Sequence, residues 1–179
     1  LRFIQEAANI ILVGPNGVGK SMIAQNITHH AVMQGHSALF ITAAQMLGDL
    51  AAQDGDNALR RRLQHYARPD LLVIDEVGYL SYGNRHADLL FTIVNRRYEL
   101  KPTIVTTNRP FAEWGEVFPN AACVVSIVDR LVHHAEILVI EGESYRMREA
   151  KERAAARKKK TVKSRRGTKT TTQKQSPQR

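Results

Sequence analysis

Residues 14–21 read Gly14-Pro15-Asn16-Gly17-Val18-Gly19-Lys20-Ser21 and fit the pattern G-x-x-x-x-G-K-[ST] at every fixed position. Ile10, Ile11, Leu12 and Val13 precede them as an apolar run with strand character, and residues 22–33 follow with helical spacing. A strand that runs through a glycine loop into a helix has a specific use. Gly14, Gly17 and Gly19 let the backbone turn its N–H groups inward around a phosphate chain, where side chains would block the approach. The helix adds the positive end of its dipole. In this pattern Lys20 reaches the β- and γ-phosphates of a nucleoside triphosphate, and the Ser21 hydroxyl ligates Mg²⁺. A ligand-free glycine turn would need none of this register between strand, loop, Lys-Ser pair and helix.

The rest of the chain supplies a scaffold for such a loop. Apolar runs at residues 10–13, 38–41, 71–74, 103–107 and 136–140 predict strands, and residues 20–33, 43–53, 58–66, 86–99 and 124–134 have helical character. Short apolar strands alternating with helices predict a three-layer α/β fold, a parallel five-stranded sheet covered on both faces. Gly35-His36 reads as the turn from the first long helix to the second strand, and Lys101-Pro102 as the stop before the fourth strand. At 179 residues, 43% of them hydrophobic, one core domain is expected. No apolar run approaches membrane-spanning length and no signal-peptide pattern appears, so no membrane partner and a cytoplasmic setting are expected. The single cysteine, Cys123, cannot form an internal disulfide and reads as a small buried residue. Leu1 stands where a start methionine would, directly before the first strand, which suggests that an N-terminal part of the protein is absent here.

The net charge of +9 belongs to one end of the chain. Residues 151–179 hold twelve Lys and Arg against one Glu, whereas residues 1–150 are slightly acidic. The expected division is a folded core at 1–150 and a basic tail at 151–179. With almost no apolar residues, the tail is expected to be disordered beyond about residue 156, after a helical beginning at 144–156. Such an arm serves either for solubility or for nonspecific DNA binding.

Three further stretches carry chemistry. Leu71-Leu72-Val73-Ile74-Asp75-Glu76 is an apolar strand ending in two carboxylates. At a strand's carboxyl edge beside a phosphate loop, Asp75 can hold Mg²⁺ through its water shell while Glu76 polarises an attacking water. The second acid favours a hydrolase over a small-molecule kinase. The fourth strand runs into Asn108, which either orients that water and contacts the γ-phosphate or merely begins the turn Asn108-Arg109-Pro110. Arg130, on the helix before the last strand, reads either as an ordinary ion-paired helix arginine or as an arginine finger for a neighbour's triphosphate. Arg60-Arg61-Arg62 is either a solvated helix face or a phosphate-binding patch. The pairs His29-His30 and His133-His134, as neighbours on helices, would point to different faces and make no metal site by spacing.

Together G-P-N-G-V-G-K-S, L-L-V-I-D-E-V-G-Y-L, T-I-V-T-T-N-R-P-F-A-E-W and V-D-R-L-V-H-H-A resemble the IstB-like family of insertion-sequence ATP-binding helpers, relatives of the DnaC and DnaA branch of AAA+ ATPases. The likeness covers nearly all of residues 1–150, and the stretch from Tyr79 through Trp114 is more like the transposition helpers than the helicase loaders. The resemblance implies an ATPase with an AAA+ core that oligomerises on duplex DNA with ATP between subunits, bends the DNA, and recruits or activates a transposase. A DnaC-type helicase loader is the alternative. Gly14 to Ser21 match Walker A, Asp75 and Glu76 match Walker B, Asn108 matches sensor 1 and Arg130 matches the box VII finger. A full helical lid is not expected, since the last strand leads directly into Glu141 and the tail, where Arg146 is a weak candidate for nucleotide contact.

Overall fold

β3 is the spine of the molecule: Leu71, Leu72, Val73 and Ile74 are all fully buried, as a strand with neighbours on both edges and helices on both faces must be. A computed structural model of the chain describes residues 1–79, 82–119, 121–145 and 147–154. The strands are β1 (Asn9–Val13), β2 (Ala38–Thr42), β3 (Leu71–Val77), β4 (Thr103–Thr107) and β5 (Ala135–Val139). They form one sheet in the order β2-β3-β4-β1-β5, every pair parallel. The helices are α1 (Arg2–Gln5), α2 (Lys20–Met33), α3 (Ala43–Ala51), α4 (Asp56–Ala67), α5 (Asn84–Arg97), α6 (Trp114–Val117) and α7 (Ala121–Val132), with a 3-10 turn at Phe111–Glu113.

The alternation of side chains along each strand sorts the core into two layers. Ile10, Leu12, Leu71, Val73 and Ile104 face one way and meet Ala24 and Ala31 of α2, with Phe3 and Ile4 of α1 closing the layer. Ile11, Leu72, Ile74 and Val105 face the other way, onto α3 to α7. Each large aliphatic side chain buried this way contributes about 1.5–3 kcal/mol. The sequence-predicted strands fall within a residue or two of these bounds, except that β3 runs three residues further. It does so through an irregularity between Ile74 and Val77, with Glu76 in the left-handed region at φ 60°. The long helix α5 also stops earlier than the proline stop predicts, at Arg97 rather than Glu99, because Tyr98 leaves helical space with a ψ of 127° and Glu99 follows at a left-handed φ of 57°. Gly35 makes the expected turn with a φ of 86°.

A second unit begins at Glu143, and within it residues 143–145 and 147–154 are described. The Ser144 hydroxyl accepts the Met147 N–H, and helix continues through residue 154, with ion pairs Lys151–Glu143 and Arg153–Glu149 along it. The helical beginning of the tail is therefore present that far. The remainder of the tail, and Arg146, lie outside the described residues. No helix among the described residues is long and apolar enough to cross a membrane.

Candidate functional site

The strand order puts β4 between β3 and β1, so the residues that leave the carboxyl ends of these three strands must share one edge of the sheet. The phosphate loop leaves β1, Asp75 and Glu76 close β3, and Asn108 follows β4 directly. Backbone bonds tie the loop to the strands beside it: Gly14 N–H donates to the Thr107 carbonyl of β4 at 3.2 Å, and Ile140 N–H, just after β5, to the Val13 carbonyl at 2.7 Å.

The loop depends on its glycines in measurable ways. A Cβ on Gly14 would lie 2.2 Å from the Ile140 carbonyl oxygen, an impossible contact, and Gly17 and Gly19 hold φ values of 84° and 100°. Gly19 is the cap of α2, so the loop passes straight into the helix's first turn and its outward N–H groups. Lys20, 8% exposed, folds across the loop and donates to the carbonyls of Gly14 and Pro15 at 2.7 and 2.8 Å. Burial pulls its ammonium below the ordinary lysine range, against the opposing charges of Asp75 and Glu76.

Asp75 is 5% exposed, and two hydroxyls converge on its Oδ1: Ser21 Oγ from 3.0 Å and Thr106 Oγ1 from 2.5 Å. A serine hydroxyl and a carboxylate in contact at the mouth of a phosphate loop are the hard oxygen donors that suit Mg²⁺. Thr106 also accepts the Glu76 N–H at 2.9 Å, so one buried hydroxyl positions both acids of the pair. No motif marks Thr106; in sequence it is one more β-branched strand residue. Glu76, in the left-handed region, is exposed to solvent between buried Asp75 and Val77. Asn108 is half-buried, and its Oδ1 is shielded from solvent with no protein hydrogen-bond partner. An oriented polar atom left without a partner at this edge fits a site completed by a ligand or water.

Arg130 has no ion-pair partner among the described residues, Asp129 beside it included. Its guanidinium lies 4.7 Å from the Phe91 ring centroid and 5.9 Å from that of Tyr98, both on or just after α5, and donates to the Ser126 carbonyl. None of these partners belongs to the phosphate loop. The arginine triplet also divides. Arg62 is ion-paired with Asp49, which also accepts the Tyr66 hydroxyl at 2.5 Å, and so ties α4 to α3, while Arg60 and Arg61 are exposed. Burial, with the Asp49 contact, pushes the Tyr66 hydroxyl up to about 12.

One of the histidine pairs needs a correction, whereas His29 and His30 lie on α2 as expected. α7 ends at Val132, so His133 and His134 follow it rather than ride on it; their rings are 4.1 Å apart and both face Glu99. The three offer ligand atoms within 4.8 Å of one another. All three are exposed. Cys123 is half-buried, and burial raises its thiol pKa, in keeping with a packing residue.

A family model described as IstB-like ATP binding protein matches residues 1–154. The chain belongs to that family. Among IstB-like relatives, the ATP-binding protein of insertion sequence IS21 from Pseudomonas aeruginosa is 41% identical over 149 residues, 83% of this chain and 56% of that protein. The ATP-binding protein of IS5376 from Geobacillus stearothermophilus is 40% identical over 149 residues, 83% of this chain and 59% of its own length. This IstB-like chain thus spans less than two thirds of those relatives. Its fold is that of the AAA+ P-loop domains: AMPPCP-bound DnaA from Aquifex aeolicus matches with a TM-score of 0.67 at 22% identity, covering 79% of this chain and 44% of that one. The DnaC helicase loader matches with a TM-score of 0.65 at 22% identity, covering 78% and 85%.

Proposed function

We propose that this IstB-like domain hydrolyses ATP and uses the bound nucleotide to assemble on duplex DNA, where the assembly recruits or activates a transposase. The reading is carried by the convergence of the glycine loop, the Ser21–Asp75 contact, Glu76 and Asn108 on one edge of the sheet. The N–H groups of Asn16, Gly17, Val18 and Gly19 would cradle the phosphates, over the turn that Gly14 and Pro15 begin, with Lys20 released from the Gly14 and Pro15 carbonyls to the β- and γ-phosphates. Ser21 and Asp75 would hold Mg²⁺, which when bound offsets charge on the phosphate oxygens. Exposed Glu76 would orient and polarise the attacking water, and Asn108, through its unpartnered Oδ1, would fix that water opposite the γ-phosphate. Arg130, held by α5 and α7 rather than by its own loop, would reach the ATP of an adjacent copy.

The insertion-sequence context of the 40% identical relatives favours transposition. A helicase-loading role would rest on fold likeness alone, at 22% identity. The test is ATP turnover together with particle mass by light scattering, with and without duplex DNA, for the parent and Lys20→Ala. DNA and ATP together should give larger particles and faster turnover in the parent. Lys20→Ala should lose nucleotide binding and the ATP response together. DNA complexes of unchanged size and ATP response in Lys20→Ala would sink the mechanism.

A further inference from the structure

Away from the nucleotide edge, a groove of about 730 Å³ runs between α4 and the open side of β2. One wall is a single stripe of Arg61, Gln64 and His65 on α4 and Arg68, which caps it in helical conformation, and their spacing of three and four residues puts all of them on one helix face. The opposite wall is residues 37–39, at the start of a strand that pairs with β3 on one side only, so its outer backbone edge is open to the groove. Lys101 and Asp70 close the floor.

The charges in this groove do not cancel. Asp70, the one carboxylate among the lining residues, is already engaged by the Ser37 hydroxyl and N–H at 2.7 and 3.0 Å and by Lys101 at 3.3 Å. Neither Arg61 nor Arg68 has an ion-pair partner among the described residues, and both are exposed. Two free guanidinium forks beside open backbone form a donor-rich wall that suits phosphate oxygens. An acidic peptide adding to the β2 edge would call for pockets for its side chains. None of the large exposed apolar side chains lines this groove.

We propose that this groove carries one phosphate backbone of the duplex DNA, with Arg61 and Arg68 as its two principal phosphate contacts. The inference rests on the DNA-binding reading above and gives it a location.

The experiment is fluorescence anisotropy of a labelled duplex at several salt concentrations, with the ATP analogue AMPPCP present. It compares the parent, the double variant Arg61→Gln/Arg68→Gln and the charge-matched control Arg2→Gln/Arg60→Gln. Each lost phosphate contact lowers the slope of log K against log salt by about 0.9. The groove variant should therefore lose about 1.8 from the slope and bind roughly 10- to 100-fold more weakly at moderate salt. The control should keep the parental slope, and AMPPCP affinity should be the same in all three.

A groove variant with the parental slope, in a parent that binds DNA, overturns the groove while leaving the DNA reading intact. A parent that binds no duplex at any salt overturns both. A labelled poly-glutamate peptide that binds the parent more tightly than the duplex, and depends on the same two arginines, overturns the nucleic-acid assignment in favour of a peptide groove.

Discussion

Glu76 holds a backbone conformation that costs a non-glycine residue about 1–2 kcal/mol, and it holds it between two buried neighbours at the mouth of the phosphate loop. Strain kept at that point is expected to be functional. Glu76→Gly should leave stability unchanged or raise it by up to about 1 kcal/mol, since glycine relieves the strain but gains freedom in the unfolded chain. The same variant should lose at least about 100-fold in ATP turnover, the scale of a general base. Thermal melting and a phosphate-release assay separate the two effects, and a stable variant with full turnover would deny Glu76 its role. Asp70 makes a second case. Its hydrogen bonds from Ser37, with help from Lys101, hold its pKa down at about 2. The stability it contributes is therefore present above its unfolded pKa of about 4 and disappears as the pH falls through about 2. Since the carboxylate is partly exposed, that contribution is at most about 1 kcal/mol. Asp70→Asn should show a shallower fall in urea midpoint between pH 4 and pH 2 than the parent; equal slopes would mean that the contact is energetically silent.

Among the elements, α5 is anchored by Arg97, 1% exposed and without a carboxylate partner among the described residues. Its guanidinium donates to the carbonyls of Ala67, Pro69, Asp70 and Pro102 and to Thr103 Oγ1, stapling the end of α5 to the segments that lead into β3 and β4. Burial lowers its pKa to about 10, still charged at neutral pH. Arg97→Met would strand several buried carbonyls and should cost at least about 3 kcal/mol, a fall of roughly 6–12 °C in Tm. A loss under 1 kcal/mol would show that water replaces the guanidinium without penalty. Nothing in the sequence announces Arg97, because an arginine at a helix's C-terminal end is the ordinary place for a solvated cation. The same limit hid Thr106 and the left-handed turn at Glu76, both set by contacts between strands distant in sequence. By contrast, the strands, the long helices and the phosphate loop were legible, since each is specified by local spacing: apolar runs, helical periodicity and glycines at fixed positions. His133 and His134 misled for the same reason, since their helical spacing ends one residue before them.

For the whole molecule, the account requires more than one copy. Among the described residues the bond and ring contacts of Arg130 run to α5, to Tyr98 just after it and to α7, and none to the loop at residues 14–21, so the part proposed for it in hydrolysis would be at a neighbour's nucleotide. Lys20→Ala removes nucleotide from a subunit but keeps its Arg130; Arg130→Ala keeps the nucleotide but removes the finger. The most direct measurement is ATP turnover, on duplex DNA, by the parent, by each variant alone and by their equimolar mixture. Each variant alone should fall at least about 1,000-fold, the lower end of what such fingers supply. The mixture should recover a readily measured fraction of parental turnover, from interfaces that pair an intact loop with an intact arginine. Parental turnover in Arg130→Ala alone, or a mixture no faster than its components, would contradict a shared site.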